Sequence, residues 1–236
     1  MLVRFVSLAV LAMIAAHPAH AGWKKANAAY KRGDFATVLE NLVPLAEGGD
    51  ANAQYNVGVM YAQGNGVGRD DFLAMHWFRK AALQERVGAQ LNLGIVYSRG
   101  GTVPQNDAEA AVWFGKAAAA GHPAAQFNFG VMHETGKGVP QDESEAAIWY
   151  RKAVERGFAD AQVSLGTLYG TGQGVDQDQV EALTWLEIGA AQGSKVAAQK
   201  RDVLVMTMTD EQISLAKSRV RGWVPCGCPP QNRSCP

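Results

Sequence analysis

Residues 125–135 (AQFNFGVMHET) carry apolar side chains at Ala125, Phe129 and Met132, the spacing of one face of an α-helix. The run Gly136-Lys137-Gly138-Val139-Pro140 then breaks the pattern. Two glycines permit positive φ, and the proline has no backbone donor to offer. A second apolar run, Ala146-Ala147-Ile148-Trp149-Tyr150, follows Asp142 and Glu145, and Gly157 closes it. The pattern predicts helix, turn and helix: one helical hairpin.

That hairpin is written four times. Trp77, Trp113, Trp149 and Trp185 stand 36 residues apart, and glycines at 58, 94, 130 and 166 each precede a tryptophan by 19. An Ala-Gln pair recurs at 53/54, 89/90, 125/126 and 161/162, and valine recurs at 67, 103, 139 and 175. A fixed period in the 30s predicts stacked identical units, each unable to bury its apolar face alone.

Polar residues at the helix ends sharpen the boundaries. Asp142 with Glu145 predicts a reciprocal cap, the aspartate accepting from orphan amides and the glutamate reaching back. Asn106/Glu109 and Asp178/Glu181 repeat it, whereas Asp70 has Leu73 three residues on. Losing such a cap costs ~1 kcal/mol. Gly121, Gly157 and Gly193 suit left-handed C-caps, and Glu85 breaks that column. A mid-helix glycine costs about 1 kcal/mol against alanine, so four at one phase imply a packing reason. The expected reason is close approach of the second helix, with the tryptophan covering the gap.

The ends differ from the middle. Arg4, the mainly apolar run Phe5–Ala16 and the small-x-small site Ala19-His20-Ala21 predict a signal peptide over 1–21, cleaved after Ala21. A run of twelve residues is too short for a bilayer, which needs about 20 in a helix. Residues 22–50 predict a capping hairpin turning at Gly33-Asp34, 51–195 the four repeats, 196–223 polar-faced capping helices, and 224–236 a Cys/Pro-rich tail. Thr209 with Gln212 opens the final helix. Whole, the chain has 22 basic and 22 acidic residues; without Arg4 it has 21 against 22, a formal charge of −1. Such a balance gives no field for nucleic acid or an anionic membrane.

The columns AQ-x-N-x-G-x-x-Y-x-x-G-x-G-V-x-x-D and A-x-x-W-x-x-KAA, read from Ala53 to Ala82, resemble the Sel-one-like repeat family, longer-period relatives of tetratricopeptide repeats. The resemblance covers about residues 50 to 195. Thr102 replaces a loop glycine, His133 the tyrosine at 61, 97 and 169, and Ile188 a lysine. It implies an all-α, right-handed α-solenoid of stacked helix-turn-helix repeats, with a concave face lined by the first helices. It further implies an envelope or secreted scaffold.

On that inner face Asn56, Asn92, Asn128 and Ser164 share one phase. A row of amides suits the backbone of an extended peptide; bonding across to the next repeat is the structural alternative, and both stay open. Gln63 and Arg99, with Thr135 and Thr171, lie two turns on and vary, as specificity positions or as ordinary surface. His76, His122 and His133 sit at different phases and suggest no metal site, and nothing in the chain calls for a cofactor. Cys226, Cys228 and Cys235 fall in the tail; a bridge from Cys235 to one of the pair leaves one thiol for an intermolecular link. The expected function is an exported non-catalytic scaffold for a protein or peptide ligand. One alternative is the family's β-lactamase and penicillin-binding branch, whose repeats carry internal disulfides. Residues 22–225 here contain no cysteine, and with neither S-x-x-K nor K-T-G expected in the chain, no acylating serine is expected. The other alternative is a self-associating structural protein of the envelope.

Overall fold

The structure is a computed structural model describing residues 18–223, and among these there are twelve α-helices and no strand. They are α1 (Pro18–Lys31), α2 (Phe35–Glu47), α3 (Ala51–Gln63), α4 (Asp71–Leu83), α5 (Val87–Arg99) and α6 (Asp107–Ala119). Then come α7 (Pro123–Thr135), α8 (Glu143–Glu155), α9 (Ala159–Thr171), α10 (Gln179–Ala191), α11 (Lys195–Val205) and α12 (Asp210–Gly222). First helices start at 51, 87, 123, 159 and 195, and second helices at 71, 107, 143 and 179, so the 36-residue period is kept in the backbone. The fold is an all-α solenoid of helix-turn-helix repeats. Two compact units divide it between Trp77 and Phe78.

In the first unit α1 and α2 form a hairpin turning at Gly33, and Asp34 caps α2 by accepting from the Thr37 amide at 3.2 Å. Its core joins Ala26, Ala29, Val38, Leu42 and Ala46 to Ala53, Val57 and Met60 of α3 and to Trp77. In the second unit α5–α6, α7–α8 and α9–α10 are hairpins, and α6 packs on α7, α8 on α9 and α10 on α11.

The mid-helix glycines do mark close approach, but the tryptophan is not what fills the space. A Cβ on Gly94 would lie 2.5 Å from the Phe114 ring, one on Gly130 2.7 Å from the Tyr150 ring, and one on Gly166 3.0 Å from Leu186 Cγ. The filler is thus the residue after Trp113, Trp149 and Trp185. Successive helical positions are about 100° apart, which turns the indole toward the seam with the preceding repeat instead. Trp149 packs with Phe129 on the small side chains Ala117, Ala118 and Ala125 of α6 and α7, at 5.3 Å edge to face on Phe129.

The reciprocal caps form by half. Asn106, Asp142 and Asp178 each accept from the amide three residues on, at 3.0 Å. For Asp142 the Ser144 hydroxyl, then the Glu145 amide, hold the carboxyl below the usual carboxylate range. Their own amides, which the glutamates were expected to reach, donate instead to Tyr97, His133 and Tyr169 carbonyls at 2.9 Å. One backbone bond thereby ties the end of a first helix to the start of its second. Both halves of a capping box occur at α12, between Thr209 and Gln212.

Seams between repeats use two further devices. Buried Gln54, Gln90 and Gln126 each donate from Nε2 to the carbonyl eight residues back, at Ala46 (3.0 Å), Ala82 (3.4 Å) and Ala118 (3.3 Å). At the next seam Val154 takes the alanine position, and the buried Gln162 amide has no partner. Arg79 donates to the Tyr97 hydroxyl at 2.6 Å, and Arg151 to that of Tyr169. Between these, position 115 is glycine and position 133 histidine, so arginine and tyrosine vanish together. Phe129 takes the room, its ring 3.4 Å from where a Gly115 Cβ would stand and edge-on to His133 at 4.8 Å.

The C-terminal end departs from the polar face expected. Helix α12 packs on α10, through Glu181–Arg219 and a Trp185–Trp223 contact at 6.0 Å, instead of pairing with α11. Val196 and Val203 of α11, and Met206 at its C-cap, stay exposed.

Second helices end as expected, with Gly121, Gly157 and Gly193 at φ 85, 79 and 93. Glu85 takes that conformation at φ 60, alone among the described non-glycine residues. A left-handed side chain costs roughly 1–2 kcal/mol, partly offset by the greater freedom of an unfolded glycine. Glu85→Gly is therefore expected to stabilise the protein by about 0.5–1 kcal/mol in urea unfolding. Alanine at the core glycines reverses the usual helix preference. Gly94→Ala and Gly130→Ala should destabilise by about 1–3 kcal/mol and Gly166→Ala by less; equal or stabilising effects would refute the packing account.

Candidate functional site

The site begins with a tryptophan outside the periodic set. Trp23 on α1 donates its indole N–H to Asp50 Oδ2 at 3.0 Å. The other oxygen of Asp50 caps α3, accepting from the Asn52 and Ala53 amides at 2.9 Å. One carboxylate thus fixes both the start of a first helix and the pose of an aromatic ring beside it. A hollow of about 400 Å³ opens there, within the first unit, in the range of small-ligand sites. Ala26, Val38, Leu42 and Met60 make its buried floor. Tyr30, 65% exposed, leans edge-on against Phe35 at 5.8 Å on its rim.

Two of the sequence candidates, Asn56 and Gln63, meet in this hollow. Asn56 donates from Nδ2 to the Asn52 carbonyl at 2.8 Å, and Asn65 donates from Nδ2 to Gln63 Oε1 at 2.8 Å. The remaining candidates lie in the second unit. Asn92 and Asn128 are half-buried, and Arg99 is exposed at the end of α5. Asn128, like Asn56, bonds one turn back on its own helix, to Ala124 at 2.9 Å. Ser164 lies beside the Tyr150 hydroxyl, which donates to Glu134. Burial first, and Glu134 next, push that phenol far above its ordinary range, so it stays protonated. Thr135 and Thr171 turn their hydroxyls onto carbonyls of their own helices.

Sequence reasoning missed Trp23, Tyr30 and Phe35, which obey no period. The seam role of Gln54, Gln90, Gln126 and Gln162 does not follow from the repeat alone, although a polar residue at a repeated core phase is a signal for it. Sequence reasoning also missed that Ser214-Leu215-Ala216-Lys217 spells S-x-x-K. That string corrects the expectation of no acylating serine at the level of motif. Ser214 and Lys217 stand exposed on α12, however, whereas acylation needs donors preorganised in a water-excluded site.

The three histidines lie apart: His76 edge-on to Trp77, His122 at the start of α7, where burial lowers its pKa, and His133 on Phe129. Among the described residues no group of His, Cys, Asp and Glu is placed to hold a metal ion, and no helix is long and apolar enough to cross a membrane. Cys226, Cys228 and Cys235 and most of the expected signal peptide lie outside the described residues.

Residues 51–85, 87–122, 123–158 and 159–194 match the model of the Sel1 repeat. Among solved structures, the protective antigen c5321 of uropathogenic Escherichia coli, described as displaying an SLR fold, is 33% identical at a TM-score of 0.76. That match covers 86% of this chain and 46% of c5321. A Sel1 repeat protein from Oxalobacter formigenes is 36% identical at a TM-score of 0.65, covering 72% of this chain and 49% of its own. The chain thus spans about half the length of these relatives. No curated protein matches it. With four consecutive matches over more than half its residues, the chain belongs to the Sel1 repeat family.

Proposed function

We propose that the chain is an exported, non-catalytic scaffold that binds a protein or extended peptide segment on the face presented by its first helices. Sel1 repeat proteins commonly act as protein-interaction scaffolds, and the fold is generally non-catalytic. The observation that carries the reading is the meeting of Asn56 and Gln63 in one aromatic-rimmed hollow on first helices. Within the second unit Asn92, Asn128, Ser164 and Arg99 hold the corresponding repeat positions on first helices. Arg4, the apolar run to Ala16 and Ala19-His20-Ala21 support export, with residues 1–21 removed and 22–50 left as the capping hairpin. The tail cysteines then enter an oxidising compartment, where Cys235 bridges to Cys226 or Cys228.

A second reading, self-association, is favoured by the exposed Val196 and Val203 of α11 and Met206 at its C-cap. Sedimentation with and without reductant separates the two: a dimer that survives reductant supports self-association through the apolar face, one lost on reduction supports self-association through the tail cysteines, and a monomer in both supports the adaptor.

The leading reading is tested by affinity capture from envelope extracts with the full chain and with Asn56→Ala/Gln63→Ala. Asn56 bonds only locally and Gln63 is exposed, so the melting temperature should hold within about 2 °C, under 1 kcal/mol for a domain of this size. Partner capture should fall at least tenfold; capture undiminished by the double variant would reject the reading.

A further inference from the structure

The hollow of the first unit differs in charge from those of the second. Around Arg151 two hollows of about 590 and 540 Å³ are lined by ionisable groups, among them Asp176, Glu181 and Glu155. No charged side chain lines the hollow between α1, α2 and α3. A lysine or aspartate entering it would lose hydration and find no counter-charge. Its floor of Ala26, Val38, Leu42 and Met60 offers contact to an apolar group and no donor for a polar one.

The rim offers the complement of a peptide unit. Asn56 has committed Nδ2 to its own helix, which leaves Oδ1 to accept a hydrogen bond. Gln63 has committed Oε1 to Asn65, which leaves Nε2 to donate one. One acceptor and one donor, a little under two turns apart on α3, match the N–H and C=O of an extended chain. Trp23 and Tyr30 stand beside them, and the indole is held by Asp50.

We propose that this hollow receives an uncharged apolar side chain, of leucine to phenylalanine size, from an extended peptide whose main chain is held by Asn56 and Gln63. The proposal rests on the scaffold reading above and names the chemistry of its ligand. Neutral lining selects a neutral anchor, the carboxamides read backbone and not sequence, and specificity lies in the one side chain that reaches the floor.

The test is an NMR titration of the full chain with end-blocked pentapeptides of alanine carrying Phe, Leu, Lys or Asp at the centre. The Phe and Leu peptides should shift the side-chain amides of Asn56 and Gln63 and the Trp23 indole, and bind at least fivefold tighter than the Lys and Asp peptides. Tyr30→Ala, at an exposed position, should keep the fold and weaken the Phe peptide at least threefold. Equal binding of all four at the same amides would overturn the neutral anchor and leave the scaffold reading standing. No shift at those amides with any peptide would overturn both. Shifts there on raising the protein concentration alone, blocking the peptides, would assign the hollow to a second copy and overturn the proposal.

Discussion

Each hairpin in the second unit is closed by a large side chain seated on bare backbone. Phe114 lies on Gly94, Tyr150 on Gly130 and Leu186 on Gly166, at separations where a single methyl would collide or crowd. This contact sets how near the two helices of a repeat can come. The backbone bond from the N-cap residue of the second helix to the last turn of the first fixes their phase. With distance and phase both set locally, every repeat has the same shape, and the same shape stacks with a constant period. A helix-weakening glycine is kept because the tertiary contact outweighs the preference of the isolated helix.

The seams between repeats follow a different logic. Small alanines let neighbouring helices approach, the indoles of Trp77 and Trp149 cover the alanine seams of their units, and the buried glutamines reach back to a carbonyl near the end of the preceding helix. An acceptor left at a helix C-terminus needs a donor, and a side-chain amide from the next repeat supplies it. Hydrophobic burial gives the seam its strength, whereas the hydrogen bond gives it register.

Much of this was legible in the sequence because it is periodic. Helix limits, turn glycines, N-caps and the exception at Glu85 all follow from spacing and from the chemistry of single residues. Contacts that depend on a rotation of one position were not legible. The tryptophan and its successor are both large and apolar, and only the helix phase decides which one meets the glycine. The glutamate return bond failed for a related reason, since a tertiary bond had already taken the amide it needed. The hollow was half visible. Asn56 and Gln63 stood out by register, but Trp23, Tyr30 and Phe35 come from a hairpin with its own spacing and converge only once α1, α2 and α3 pack.

The paired loss at positions 115 and 133 bears on how such an array can be rearranged. Where arginine faces tyrosine across a seam the two edges interlock, and where glycine faces histidine a phenylalanine fills the same space. Repeats are therefore not interchangeable tiles: each has a leading and a trailing edge fitted to one neighbour. Duplicating, deleting or shuffling units would preserve every hairpin and still leave an arginine without its phenol, or two bulky groups in one gap. The unit that can be copied without penalty is the junction, running from the middle of one repeat to the middle of the next.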